Sequence, residues 1–410
     1  MSRFRFAFIV LALISVFVAS EDVRAASPEK VDTAIAQGVK YLYASQNKNG
    51  TWDGNSPGGA DHSADGGQWG GRTALATYAL LAAGQSPNDP RLQPAIEFLR
   101  TAKIEGYYAL GLRAQVWLFL PPTPANREAA RRDLQLNILG MEGKPGRPDT
   151  GLYDYLLRDN ERVDMSVSQY GVLGVWAGAQ IDGLEVVSRY WEQADLAWRS
   201  KQLPNGAWSY DGGTTATPSM TAAGVATLFI TQDFTQADQG VNCSGNVTND
   251  AIDRGLEYLT REFLNVSTLR AQHPFYTLYG IERIGVASGL KYLNAQDWFA
   301  IGADSLVRSQ QQSGQFGSDM VDTSFALLFL SRGREPVAMN KIKYDVLDKD
   351  DMPVEGVWNQ RPRDVANAVH FAGRLSEKWL NWQIIDLSVA ATRDLLDAPI
   401  AYISGSKPLV

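Results

Sequence analysis

Acidic, histidine and aromatic residues gather in a few stretches of this 410-residue chain. Residues 47–71 hold Asp61, His62, Asp65 and Trp69, and residues 141–164 hold Tyr153, Asp154, Asp159 and Asp164. Later come Tyr210 and Asp211, His273 and Tyr276, then Asp319 and Asp322. Two carboxyl groups about 5–10 Å apart across an aromatic-lined cleft can act as acid and base, or as acid and nucleophile, at a sugar bond. On that chemistry Asp211, Asp322, Asp164, His273 and Tyr276 are the catalytic candidates. Asp65, Trp69, Tyr153 and Tyr210 are candidates for holding a ligand. Each acid also has a plainer reading, because helix N-termini recruit Asp as a cap. Asp322-Thr323-Ser324 opens a helical stretch in that way.

Other chemistries lack their residues. The chain has no convincing Gly-x-Ser-x-Gly elbow, no phosphate-binding P-loop and no His-Glu-x-x-His. Cys243, the single cysteine, can form no internal disulfide and no Cys-rich zinc site. No cofactor or metal is implied. The formal net charge of −7 argues against a nucleic-acid partner, which needs a basic face. Hydrophobic residues at 45% and charged residues at 20% provide for a real core.

The elements that would position these residues repeat. Gln46-Asn47-Lys48-Asn49-Gly50-Thr51-Trp52 recurs as Gln202 to Trp208, and again, with Phe for Trp, as Gln310 to Phe316. Amphipathic helical periods run into the turns at residues 34–42, 191–198 and 299–306. The same period occurs at 94–99, 125–139 and 251–259, the last repeating 34–42 almost residue for residue. A second class, poorer in charge, occupies 73–83, 107–119, 167–179, 219–230, 274–286 and 323–330. Such helices are covered on most sides. Six alternating hairpins predict an all-α, (α/α)6 closed double ring, the second class inside. The long connections, and with them most candidate residues, fall on the outer-to-inner face, where binding usually lives.

The Gln-x-x-x-Gly-x-Trp turn after an Ala-Ile-x-x-Gly-x-x-Tyr-Leu helix resembles the repeat of squalene/hopene cyclases and protein prenyltransferase β-subunits. The resemblance covers residues 30–335 and implies an α/α toroid. Its catalytic motifs do not carry over. Class II terpene cyclases protonate an alkene with Asp-x-Asp-Asp, and Asp348-Lys349-Asp350-Asp351 has that spacing, but in a charged stretch past the repeats. A solvated acidic run cannot hold a water-excluded proton donor. Prenyltransferases need an Asp/Cys/His zinc site, and Cys243 has no neighbouring His. The expectation is a binding or scaffold module, with an enzyme on the loop-rich face as the alternative: a carbohydrate lyase or hydrolase, or a divergent terpenoid cyclase. The partner would be a small molecule, lipid or glycan.

Both termini stand apart. Arg3 and Arg5, an apolar run from Phe6 to Ala19, and Val23-Arg24-Ala25 read as a cleaved export leader over residues 1–25. That implies a periplasmic or secreted protein. No later segment approaches the roughly 18 unbroken apolar residues of a membrane span. Residues 336–355 read as a linker. Residues 356–410 read as a short, incomplete α/β segment, with a helix over 363–377 and strands at 383–387 and 400–404. Residues 358–367 and 380–383 resemble the start of a flavodoxin- or glutamine-amidotransferase-like domain, which implies a truncated one.

Overall fold

The computed structural model describes residues 26–54, 67–141, 151–157, 163–237, 249–293, 295–346, 354 and 357–405. The leader, Asp61, His62, Asp65, Asp159, Cys243 and the Asp348–Asp351 motif lie outside the described residues. Helices dominate, in two alternating kinds. The first kind is α1 (Pro28–Ala44), α3 (Gln93–Thr101), α5 (Pro124–Met141), α7 (Ser188–Ser200), α9 (Asp250–Ser267) and α11 (Trp298–Ser309). These bury one stripe each; in α9 it is Ile252, Gly255, Leu259, Phe263 and Val266, at helical spacing. The second kind is α2 (Gly71–Ala82), α4 (Tyr107–Trp117), α6 (Met165–Ala179), α8 (Pro218–Thr235), α10 (Pro274–Ser288) and α12 (Met320–Arg332). These are buried nearly all round, and α6 is buried without a break from Met165 to Val175.

Packing follows the two kinds. Each helix of the buried set packs on the next, α2 through α12, and α12 packs back on α2. The amphipathic set lies over the seams, with α5 against α4 and α6, α9 against α8 and α10, and α1 against α12. One ion pair is sealed inside this packing. The Arg113 guanidinium of α4 donates through Nε to Asp133 of α5 at 2.8 Å and through Nη1 to the Ala102 carbonyl, just past α3, at 2.8 Å. Trp117 Nε1 adds a bond to the same carboxylate at 2.7 Å.

The repeated turn does more than end a helix. Gln46 donates to the Gly50 carbonyl at 2.7 Å and to that of Arg91, at the foot of α3, at 2.9 Å. Gln202 does the same to Gly206 and to Ala251 of α9, and Gln310 to Gly314 and to Ala34 of α1. Each Gln therefore ties its turn to the next amphipathic helix, and the third ties the last to the first. The glycines sit at φ 80, 85 and 89, where L side chains are strained. The aromatic locks the joint: Trp52 Nε1 donates back to Leu42 and Trp208 Nε1 to Trp198, at 2.9 and 2.8 Å.

After α12 the chain changes architecture. Beyond the small hairpin β1 (Tyr292–Leu293) and β2 (Gln296–Asp297), which precedes α11, three strands make a parallel sheet. They are β3 (Val337–Lys343), β4 (Asn381–Asp386) and β5 (Ile400–Tyr402), in the order β4-β3-β5. Helix α13 (Asp364–Ser376) crosses from β3 to β4. The linker reading of 336–355 is corrected here, since its first part is the central strand. Asn340 and Lys341 disguised it. Both are fully buried, and their polar groups are taken by Gln383, Asn359, Asp364 and backbone carbonyls.

This sheet unit packs on the C-terminal ends of the buried helices. Ile384 N–H donates to the Gly289 carbonyl just past α10, at 2.6 Å. Arg363 donates to the carbonyls of Gln232 and Gln236 at the end of α8, Arg374 pairs with Asp182 past α6, and Trp379 lies against Phe119 past α4. That end of the helical body is covered, and the N-terminal ends of the buried helices face the other way.

Candidate functional site

At those N-terminal ends the acids turn out to be engaged. Asp164 caps α6: its carboxylate accepts from the N–H groups of Ser166 and Val167 at 2.8 and 3.1 Å, from the Ser166 hydroxyl, and from the Tyr155 hydroxyl at 3.0 Å. Asp319 caps α12 through Val321 and Asp322 and pairs with Arg72 at 3.1 Å. Asp53, which the sequence reading passed over, is buried and accepts from Gly70 N, Thr73 N and the Thr73 hydroxyl at 2.6–2.9 Å. Asp322 accepts from the Ser318 N–H and hydroxyl at 2.8 and 2.9 Å. Asp211 is exposed and accepts from Gly213 N in a tight turn.

The remaining candidates separate. His273 is exposed just before α10, at φ 50, and its carbonyl accepts from Thr277. Trp69 donates to the Gly54 carbonyl and sets its ring edge-on to Phe98 at 5.0 Å, as a packing residue. Tyr153 has no solvent access, and its hydroxyl meets that of Tyr190 at 2.7 Å. Tyr210 is half-buried, with its hydroxyl on Ser219 at 3.1 Å. Among the described residues no three His, Cys, Asp or Glu side chains gather as a metal site would require.

What the helices do bring together is aromatic. Ring centroids step from Tyr155 to Tyr108 at 6.0 Å, to Tyr170 at 5.2 Å and to Tyr276, stacked, at 6.4 Å. They continue to Phe325 and Tyr279 at 5.5 Å each. This column joins α4, α6, α10 and α12 through the middle of the buried set, and only Tyr276 of it was a sequence candidate. Centroids this close leave no gap for a ligand between neighbouring rings. Gln169 of α6 donates to the Tyr276 hydroxyl and accepts from Arg283 Nη1 at 2.8 Å, so α6 and α10 are bridged across the column. The signal for Arg283 was available in sequence, as part of the Glu282-Arg283 pair of charges within a largely apolar helix.

Burial pushes the hydroxyls of Tyr108, Tyr170, Tyr276 and Tyr279 above the ordinary phenol range. Unfolding returns each to a value near 10. The unfolded chain then loses its protons first, so stability is full below about pH 10 and falls as pH rises through the folded values. Urea midpoints are expected to drop steeply above about pH 10, with tyrosinate absorbance rising in the same transition. A tyrosinate signal that rises before unfolding would contradict this.

No family model matches the chain, and no curated protein matches it. Among solved structures the fold is similar to the type II terpene cyclase MstE from Scytonema in its apo form. The identity is 12%, the TM-score 0.49, and the match covers 75% of this chain and 98% of that one. A substituted form of the same cyclase, in complex with its substrate geranylgeranyl dihydroxybenzoate, matches at 12% identity and a TM-score of 0.47, over 74% and 97% of the two chains. These likenesses concern fold alone. Among the described residues no helix is long and apolar enough to cross a membrane.

Proposed function

We propose that residues 28–332 form an (α/α)6 toroid that binds a small molecule of lipid or glycan kind without transforming it, in a protein exported behind a cleaved leader. The contact of α12 with α2 and the bond from Gln310 to Ala34 support the closed ring. The observation that carries the non-catalytic reading is the state of the acids. A catalytic carboxyl must be free to exchange a proton with substrate, whereas Asp164 accepts four hydrogen bonds and Asp319 caps a helix while paired to Arg72. The alternative, a divergent terpenoid cyclase, is favoured by the aromatic column, whose quadrupoles suit a carbocation.

Calorimetric binding of lipids and glycans by the purified full chain, with mass spectrometry of each ligand afterwards, decides between the two. The expected result is binding with the ligand recovered unchanged, and the same binding in Asp211→Ala and Asp322→Ala. Conversion that one of these substitutions abolishes at unchanged melting temperature would make the protein an enzyme.

A further inference from the structure

Most of the large apolar side chains that stay exposed among the described residues belong to the sheet unit, between Phe371 and Ile403. Monomeric proteins seldom leave such a cluster in water. Strand β5 carries part of it. It pairs with β3 on one edge, and among the described residues nothing pairs with the other. Natural edge strands are usually guarded by charge, but no charged residue stands between Ala398 and Gly405. Ile400 lies beside Met339 and Tyr402 beside Lys341, whose Nζ reaches Asp364 of α13 at 2.6 Å. Ile400 and Tyr402 therefore rise on the α13 side of the sheet, and Ala401 and Ile403 on the other. Ile400 and Ile403 are both exposed, so β5 is open to water on both faces, which a parallel sheet seldom tolerates.

Helix α13 adds a wall. Its row Val365, Val369 and Gly373 is buried against the sheet, while Arg363 and Arg374 reach the helical body. A third row, Ala368, Phe371 and Leu375, faces neither, with Phe371 64% and Leu375 72% exposed. Because β4 is the strand that meets the helical body, at Gly289, this row lies on the β5 side. We propose that β5 and this flank of α13 dock a second copy of the chain. The two β5 strands pair antiparallel about a two-fold axis normal to the sheet. Two three-stranded sheets then become one, in the order β4-β3-β5-β5-β3-β4, and the two α13 flanks face each other across the pair. A two-fold interface must fit its own image. This one does, because the joining edge is uncharged and residues 357–405 carry as many basic as acidic side chains. In a chain of net charge −7, two copies can meet there without like-charge repulsion. An antiparallel strand at the edge of a parallel sheet is a common addition. The inference does not depend on what the helical body binds.

The test is sedimentation velocity on the full chain across a concentration series. A discrete species of twice the chain mass is expected at about 10 μM, since interfaces of ordinary size hold at micromolar concentrations or below. Ile400→Lys is expected to raise the dimer dissociation constant roughly a hundredfold, by setting like charges across the axis, with the circular dichroism of the parent retained. Ile400→Glu should do the same, and an equal mixture of the two variants should recover association. Amides of β5 are expected to exchange faster in Ile400→Lys than in the parent dimer. A chain that remains monomeric at about 100 μM overturns the proposal. So does a dimer that neither Ile400→Lys nor Phe371→Lys weakens. Failure of the mixture to associate, or growth into open-ended polymers, overturns the two-fold pairing of β5. Should Ile400→Lys not fold, Phe371→Lys on the helix flank decides by the same measurement: a severalfold weakening supports the interface, and none refutes it.

Discussion

Replacing Arg113 by Leu is expected to lower the unfolding free energy by about 3–5 kcal/mol, because it strands a fully buried carboxylate. The Arg113 and Asp133 side chains are 1% and 0% exposed, and their two parallel bonds run at 2.5 and 2.8 Å. Burial pulls the guanidinium below its ordinary value and Asp133 pulls it back up, so the pair is a balance of desolvation against attraction. Arg132, at 3.2 Å, and Trp117 remain beside Asp133 but cannot replace a bidentate partner. The double variant with Asp133→Leu is expected to recover most of the loss, since two apolar side chains of similar volume leave no buried charge. Urea denaturation of the four proteins measures this. Equal losses in the single and double variants would mean that the pair's worth lies in packing. A loss this large approaches the total stability of many domains, so the single variant is also expected to accumulate poorly.

The helical body was legible in the sequence because its signals are local. A Gln, a Gly four residues on and an aromatic two further are read off neighbouring positions, and they act locally, through Gln46 to Gly50 and Trp52 to Leu42. Their second partners were hidden. Nothing at Gln310 announces that it reaches Ala34, 276 residues away. Strand β3 was hidden for a related reason, because buried Asn340 and Lys341 look like linker residues until Gln383, Asn359 and Asp364 supply partners. The acids were ambiguous for another reason. Asp at a helix start has the same sequence appearance whether it caps or catalyses, and Asp164 and Asp319 cap. The aromatic column stayed unseen because Tyr108, Tyr170 and Tyr279 sit in helices covered nearly all round, where pattern alone cannot separate a central face from a packed one.

Two glycines with nearly the same backbone angle should respond differently to alanine, and the difference measures how closely the helices pack at the repeated turn. Gly183 has φ 83 and Gly206 φ 85, so a methyl group incurs similar backbone strain at each, about 1 kcal/mol or somewhat more. At Gly183 the added carbon meets nothing within 4 Å. At Gly206 it would stand 2.5 Å from the Arg254 carbonyl oxygen, backbone of α9 that cannot turn aside as a side chain can. The turn must then retreat from α9 and loosen the bond from Gln202 to Ala251, now 2.7 Å. Gly206→Ala is therefore expected to cost about 2–5 kcal/mol, strain and overpacking together, against about 1 kcal/mol for Gly183→Ala. A methyl group on Gly314 would likewise run into the Gln37 carbonyl of α1, so Gly314→Ala should behave like Gly206→Ala. Because its turn ties α11 to the Ala34 carbonyl of α1, its loss should also loosen that turn of α1 and speed hydrogen exchange of the amides there. Equal costs at positions 183 and 206 would show that the turn glycine is needed for its backbone angle alone.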